Sequence, residues 1–321
     1  MNIVKFIKNW TLPLAMATGA VAYLIFAFVP ALDGAARFFA PIFDAIMPMF
    51  MFLILFVTFC KVDFRALRPV GWHWWVLLFN LVFVLACMGL VLGFRLEGQA
   101  LVLMEAILMC IIAPGATAAA VVTQKLGGSL EETTTHTFMS NFMTALLVPI
   151  FFPMIEKSAH MSFLSAFATI LYGVSIVLLM PMLLAYIVKH TAVLHRFHQW
   201  VISVKDLSYY LWACSLLIVT GTTVKNIVHA EAGVWLLTGI ATLGLVICVI
   251  QFAVGKYIGH YFGRMIEAGQ AMGQKNTAFA IWMAYTYLNP LSSVGPGCYI
   301  LWQNIINSVE IWQKRRSEFQ N

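Results

Sequence analysis

Long apolar runs separated by short polar ones follow one another along the whole chain. A run of about 20 residues, wound as a helix, matches a hydrocarbon core of ~30 Å. Ten such runs can be placed: Trp10 to Phe28, Phe38 to Cys60, Trp72 to Phe94, Gln99 to Gln124, Thr133 to Ile155, Phe163 to Val188, Leu207 to Val224, Ala232 to Tyr257, Arg264 to Tyr287 and Leu291 to Trp312. Lys5 and Lys8 precede the first run as they would in a secretory signal. That run is long and no small-residue cleavage site follows, so it reads as the first transmembrane helix. The pattern predicts an all-α polytopic membrane protein.

Eight of the runs are simple helices rich in Leu, Phe, Met and Val, whereas the fourth and ninth are interrupted. The fourth carries Ala113-Pro114-Gly115-Ala116-Thr117, and the ninth carries Gly273-Gln274-Lys275-Asn276-Thr277. Proline lacks an N–H and clashes with the preceding turn, and glycine tolerates an unwound backbone, so Pro114, Gly115 and Gly273 mark two helix breaks. Lys275 lies within the second. An ammonium at the bilayer centre carries an insertion penalty of roughly 2.5 to 3.5 kcal/mol, and such charges mark functional sites.

Each break falls in the fourth of five spans, dividing the chain into residues 1–156 and 157–321 as two inverted five-helix repeats. Interrupted helices at corresponding places in two halves point to a transporter's binding site. Unwound backbone at that depth survives only where protein or a wet cavity satisfies its polar groups.

Composition agrees with a bilayer setting: 62% of the 321 residues are hydrophobic and 10% charged, against about 25% charged in soluble domains. With ten spans, fourteen of the nineteen Lys and Arg residues fall on the side of both termini and four on the other, with Lys275 within the membrane. The positive-inside rule then places both termini in the cytoplasm, in the cell inner membrane. The same asymmetry accounts for the net charge of +6 and implies no nucleic-acid partner. The six cysteines have neither metal nor redox spacing and read as reduced hydrophobes, so no metal site is expected.

The interrupted segments resemble those of the bile acid:sodium symporter family. Ala113-Pro114-Gly115-Ala116-Thr117-Ala118 is similar to that family's Cys-Pro-Gly-Gly-Thr-Ala, and Val121-Val122-Thr123 continues it. Gly273-Gln274-Lys275-Asn276-Thr277 is similar to its Gly-Met-Gln-Asn-Ser, and Trp302-Gln303-Asn304 to its Trp-His-Asn. The resemblance implies a panel domain and a core domain, interleaved across both repeats, with broken helices four and nine crossing in the core and alternating access between the two.

The departures from the family pattern bear on its ion sites. Its Ser-Asn pair falls at Ala119 and Ala120, its ninth-helix glutamate at Ala271 and its glutamine at Lys275. Thr133 and Thr137 keep hydroxyls where the family has hydroxyl ligands, and Asn80 stands where it has a third-span glutamine. Glu267 is too near the cytoplasmic end to replace the lost carboxylate. One carboxylate with a pair of sodium ions carries a net +1, and alanine with one lysine carries the same. The Lys275 ammonium is therefore expected to stand in for bound cation. Hard cations need several oxygen ligands and are repelled by a neighbouring ammonium, so sodium dependence is expected to be weak or absent.

Three roles remain open for Lys275: proton coupling through loss and regain of its proton, pairing with a substrate carboxylate, or a structural ion pair with Glu105 or Asp44. Asn276 and Asn304 are expected to contact substrate or a gate. Gln274, Thr277, Gln303, Thr117, Thr123, Ser140, Asn141 and Asn307 are further candidates, although a hydroxyl in a helix often bonds its own backbone. His136 is the one histidine near the site in sequence. His190, His195 and His198 sit in a basic loop and read as a lipid-facing interfacial segment rather than a metal site.

An intramembrane enzyme or a sensor without transport activity is the rival class. The sequence has no His-Glu-x-x-His, no Gly-x-Ser-x-Gly and no phosphate-binding glycine loop, and no extramembrane segment large enough to signal. The expectation is a secondary transporter, not an enzyme, for a small organic anion, with the lipid bilayer as its surroundings and no cofactor.

Overall fold

The computed structural model describes residues 11–63, 65–156, 162–204, 207–229 and 232–320. Lys5, Lys8, Trp10, Lys157 and Lys205 lie outside the described residues, as does the side chain of Asp44. Among the described residues helices are the regular secondary structure, and no strand is formed. The helices are α1 (Thr11–Phe28), α2 (Asp33–Lys61), α3 (Gly71–Gly93), α4 (Gly98–Ile112), α5 (Thr117–Leu126), α6 (Leu130–Ile155), α7 (Phe163–Val174), α8 (Met180–His190), α9 (His195–Ser203), α10 (Leu207–Val228), α11 (Val234–Tyr261), α12 (Met265–Gly273), α13 (Thr277–Tyr287) and α14 (Val294–Gln320).

All ten apolar runs are helical, and the fourth and ninth are split into α4/α5 and α12/α13 at the expected residues. Gly71–Gly93, Leu130–Ile155, Phe163–His190 and Val234–Tyr261 are long and apolar enough to cross a membrane; Leu14–Phe28, Ala45–Lys61, Gly98–Ile112 and Tyr210–Lys225 are shorter apolar helices. Helix α3 shows why such a surface needs lipid. Trp74, Trp75, Leu78, Val82 and Leu85 are exposed, whereas His73 and Asn80 are buried with Trp72 and Val76. Large apolar side chains outside and polar ones inside reverse the arrangement of a water-facing helix.

The chain forms two compact units, each drawing on two separate stretches. The first unit holds Met1–Lys61 and Ile176–Glu231. Within it α1 packs on α10 at Gly19, where a Cβ would stand 2.1 Å from Leu217 O. Helix α9 seats on the end of α2, with His198 Nε2 2.9 Å from Cys60 O and Lys61 Nζ donating to Val204 O at 2.8 Å. The histidine segment is therefore not simply lipid-facing. His198 is buried because it satisfies a carbonyl in the last turn of α2.

The second unit holds Val62–Ser175 and Ala232–Asn321, and with them both helix breaks. Its packing centres on α11 and α12, which approach closely because Gly255 and Gly273 have no side chains: a Cβ would stand 2.5 Å from Ala268 O at the first and 2.4 Å from the Phe252 ring at the second. Trp72 and Val76 of α3 pack on Ala268, Ala271 and Met272 of α12.

Candidate functional site

Pro114 disfavours helical backbone in the residue before it, and Ala113 is accordingly extended, with φ −56° and ψ 139°. Gln274 is extended as well, with φ −90° and ψ 109°. The two unwound segments meet as a single antiparallel bridge between Gly115 and Lys275. Ala116 N donates to Gln274 O at 2.9 Å and Asn276 N to Pro114 O at 2.8 Å. Each break thus satisfies backbone groups of the other, as unwound backbone inside a membrane requires.

Four half-helix ends converge there, and a helix that stops leaves its last carbonyls without partners. Side chains take the last three of α4: Gln251 Nε2 donates to Cys110 O at 3.0 Å, Lys275 Nζ to Ile111 O at 3.0 Å, and Thr144 Oγ1 to Ile112 O at 2.7 Å. At the end of α12, Tyr299 OH donates to Gly273 O at 2.7 Å. The buried ammonium therefore caps the negative end of a helix dipole. This is not the pair with Glu105 weighed for it in the sequence, and the alternative pair with Asp44 lies outside the described residues. Glu105 accepts instead from Asn289 N at 3.2 Å, and Lys275 pairs with no carboxylate among the described residues.

Several sequence candidates gather at the crossing. Gln303 Oε1 accepts from Lys275 N at 2.9 Å, Asn276 Oδ1 caps α13 through Phe279 N at 3.2 Å, and Thr277 N reaches Lys275 O at 2.9 Å. Gly115 N donates to Ser140 Oγ at 3.0 Å, with Thr137 Oγ1 close by. Gln274 opens a polar seam: its amide donates to Gln270 Oε1, Gln270 Nε2 donates to Glu310 Oε2 at 2.7 Å, and Glu310 pairs with Lys256.

Other candidates have different work. Asn304 is half-buried and donates to Ile300 O in its own helix at 2.8 Å. Thr133 bonds Thr123 Oγ1 and Ser129 O, and Thr137 bonds Thr133 O. Thr117 opens α5, and Asn80 is buried on α3. Glu267 accepts from Ser129 N at 2.9 Å, at the start of α6. Gln251, Tyr299, Thr144 and Gln270 carry the crossing without having been singled out. For Gln251 a signal existed: it is a lone carboxamide inside the apolar eighth run.

Among the described residues no group of three His, Cys, Asp or Glu side chains is placed to hold a metal ion. The crossing gathers carboxamides, hydroxyls and one ammonium around helix-end carbonyls that those side chains satisfy.

No curated protein matches the chain. The model of the Sodium Bile acid symporter family matches residues 48–230, a stretch that includes the first break and stops short of the second. Family members are transporters, and the apolar helices agree with an integral membrane protein. The matched stretch exceeds half of the 321 residues, and the chain belongs to the sodium bile acid symporter family.

Proposed function

We propose that this protein is a secondary active transporter that moves a small organic anion across the cytoplasmic membrane by alternating access, with weak or no coupling to sodium. The observation that carries the reading is the Lys275 Nζ contact with Ile111 O beside the bridge of the two breaks. A tethered ammonium there holds a carbonyl that a bound cation would otherwise satisfy. The positive site draws an anion, and the half-helix ends provide the polar surroundings. In this reading the ten spans form two inverted repeats with both termini cytoplasmic, the second unit acts as the core domain and the first as the panel. Coupling, where present, runs through the Lys275 proton or through exchange of one anion for another.

Counterflow and uptake in proteoliposomes across a panel of organic anions test this, with sodium and pH varied separately. The expected result is anion uptake indifferent to sodium. Uptake rising steeply with sodium overturns the tethered-cation reading.

A further inference from the structure

Glu105 lies in the middle of α4, is 0% exposed, and has only part of its carboxyl satisfied. Oε2 accepts from Asn289 N at 3.2 Å, at the turn between α13 and α14, whereas Oε1 has no hydrogen-bond donor among the described residues. Buried polar atoms are nearly always paired, and an ionisable side chain within a membrane span marks a functional site. Ser292 Oγ lies beside the carboxyl, but its single hydrogen goes to Asn289 O at 2.7 Å.

The group that faces Glu105 is a second acid. The carboxyl of Glu156, the exposed residue that ends α6, is within hydrogen-bonding reach of it. Helices α3, α11, α13 and α14 also pack on α4, and among the described residues none of them brings a Lys or Arg to the pair. Cys248 of α11 and Cys298 and Tyr299 of α14 gather around Cys110 instead, and the Tyr287 hydroxyl of α13 lies at Gly173. Two carboxylates offer only acceptors, so a hydrogen bond between them needs a proton on one. Two like charges in contact, one of them out of water, are relieved by the same proton.

We infer that Glu105 and Glu156 form a proton-binding site, in which one proton is held between the two carboxyl groups and exchanges with water through Glu156. The Glu105 O–H donates to a Glu156 oxygen. On release the proton passes along that bond to Glu156 and then to water, and the charge of the pair goes from −1 to −2. Six residues of α4, about 9 Å of helix, separate Glu105 from Ile111, whose carbonyl Lys275 caps. The site therefore stands apart from the crossing and from the Lys275 ammonium. Its use rests on the transport reading: there it carries the proton that moves with an anion.

The test uses the full chain, in detergent and in proteoliposomes. Infrared spectra of the parent protein at neutral pH are expected to show a protonated carboxyl that shifts in deuterium oxide and is missing in Glu105→Gln. That substitution keeps an oxygen for Asn289 N, so the variant is expected to melt close to the parent; where it fails to fold, Glu105→Met is read in the same way. Glu156→Ala is expected to slow the deuterium shift, and an unchanged rate overturns Glu156 as the route. A parent spectrum without a protonated carboxyl, or a signal that persists in the Glu105 variants, overturns the site. The transport probes are an aryl sulfonate and a bile-acid sulfonate, which do not cross lipid as neutral acids. An inward proton gradient is expected to accelerate their uptake by the parent, and Glu105→Gln to lose that acceleration while keeping counterflow. Acceleration that is absent in the parent, or equal in the variant, overturns the use of the site in coupling. Infrared results as expected, with no counterflow of either probe by the parent, uphold the site and count against the transport reading instead.

Discussion

The Gln303 carboxamide grips the Lys275 peptide from both sides, with Oε1 accepting from Lys275 N at 2.9 Å and Nε2 reaching Lys275 O at 3.4 Å. A peptide in an unwound segment has no helical partner, so a side chain must supply one. Gln303→Leu should cost about 1–3 kcal/mol, the penalty of an orphaned buried backbone group, and lower the melting temperature in detergent. Asn304→Leu is the control: that carboxamide is half-buried and donates within its own helix, so its removal should shift melting less.

Gly273→Ala should destabilise through overpacking, since the added carbon would stand 2.4 Å from the Phe252 ring. The expected cost is about 1–3 kcal/mol. Phe252→Leu in the same chain should recover part of it, so the double variant should melt above the sum of the single effects. A strictly additive pair would show that the two residues do not share this contact.

Both breaks were legible because Pro114, Gly115 and Gly273 punctuate otherwise apolar runs, and each helix stops within a residue or two of them. The partner of Lys275 was not legible. A buried charge directs attention to carboxylates such as Glu105, yet the group it meets is the carbonyl of Ile111, 164 residues away. Every residue has a carbonyl, and only the tertiary crossing makes this one available. His198 misled for a similar reason: its basic neighbours suggest an interface, and its bond to Cys60 O joins residues 138 apart. The π-helical turn at Ser175–Leu179 has no proline of its own to announce it.

Replacing sodium by choline should leave anion uptake in proteoliposomes unchanged within about twofold, because a hard cation needs several oxygen ligands and is repelled by a nearby ammonium. Ala119, Ala120 and Ala271 are buried without a side-chain oxygen to offer, and the hydroxyls of Thr133 and Thr137 already donate to backbone carbonyls. A sodium-dependent rise in uptake, saturating at millimolar salt, would contradict this.

Glu132 joins two partners of unequal worth. Its Oε2 accepts from the buried Trp72 indole at 2.9 Å, and its Oε1 accepts from Arg264 Nε at 2.8 Å, with the Arg264 side chain 46% exposed. Exposed ion pairs contribute about 0–1 kcal/mol, whereas orphaning a buried donor costs about 1–3 kcal/mol. Glu132→Ala should therefore lower the melting temperature more than Arg264→Gln does. Equal losses would place the stabilisation in the ion pair.

Lys275→Met separates a functional charge from a structural one by the sign of its effect on stability. The substitution removes the capping bond on Ile111 O, and an unsatisfied buried carbonyl costs about 1–3 kcal/mol. It also removes a buried ammonium whose insertion penalty is roughly 2.5 to 3.5 kcal/mol. The two nearly cancel, so the variant should fold and melt close to the parent protein. Anion counterflow, by contrast, should disappear in Lys275→Met, and Lys275→Gln should behave likewise, since neither restores a positive charge. Melting curves and counterflow on the same purified samples decide the matter. A variant that melts far lower would make the ammonium a structural cap, and one that melts normally and still exchanges anions would remove Lys275 from the transport cycle.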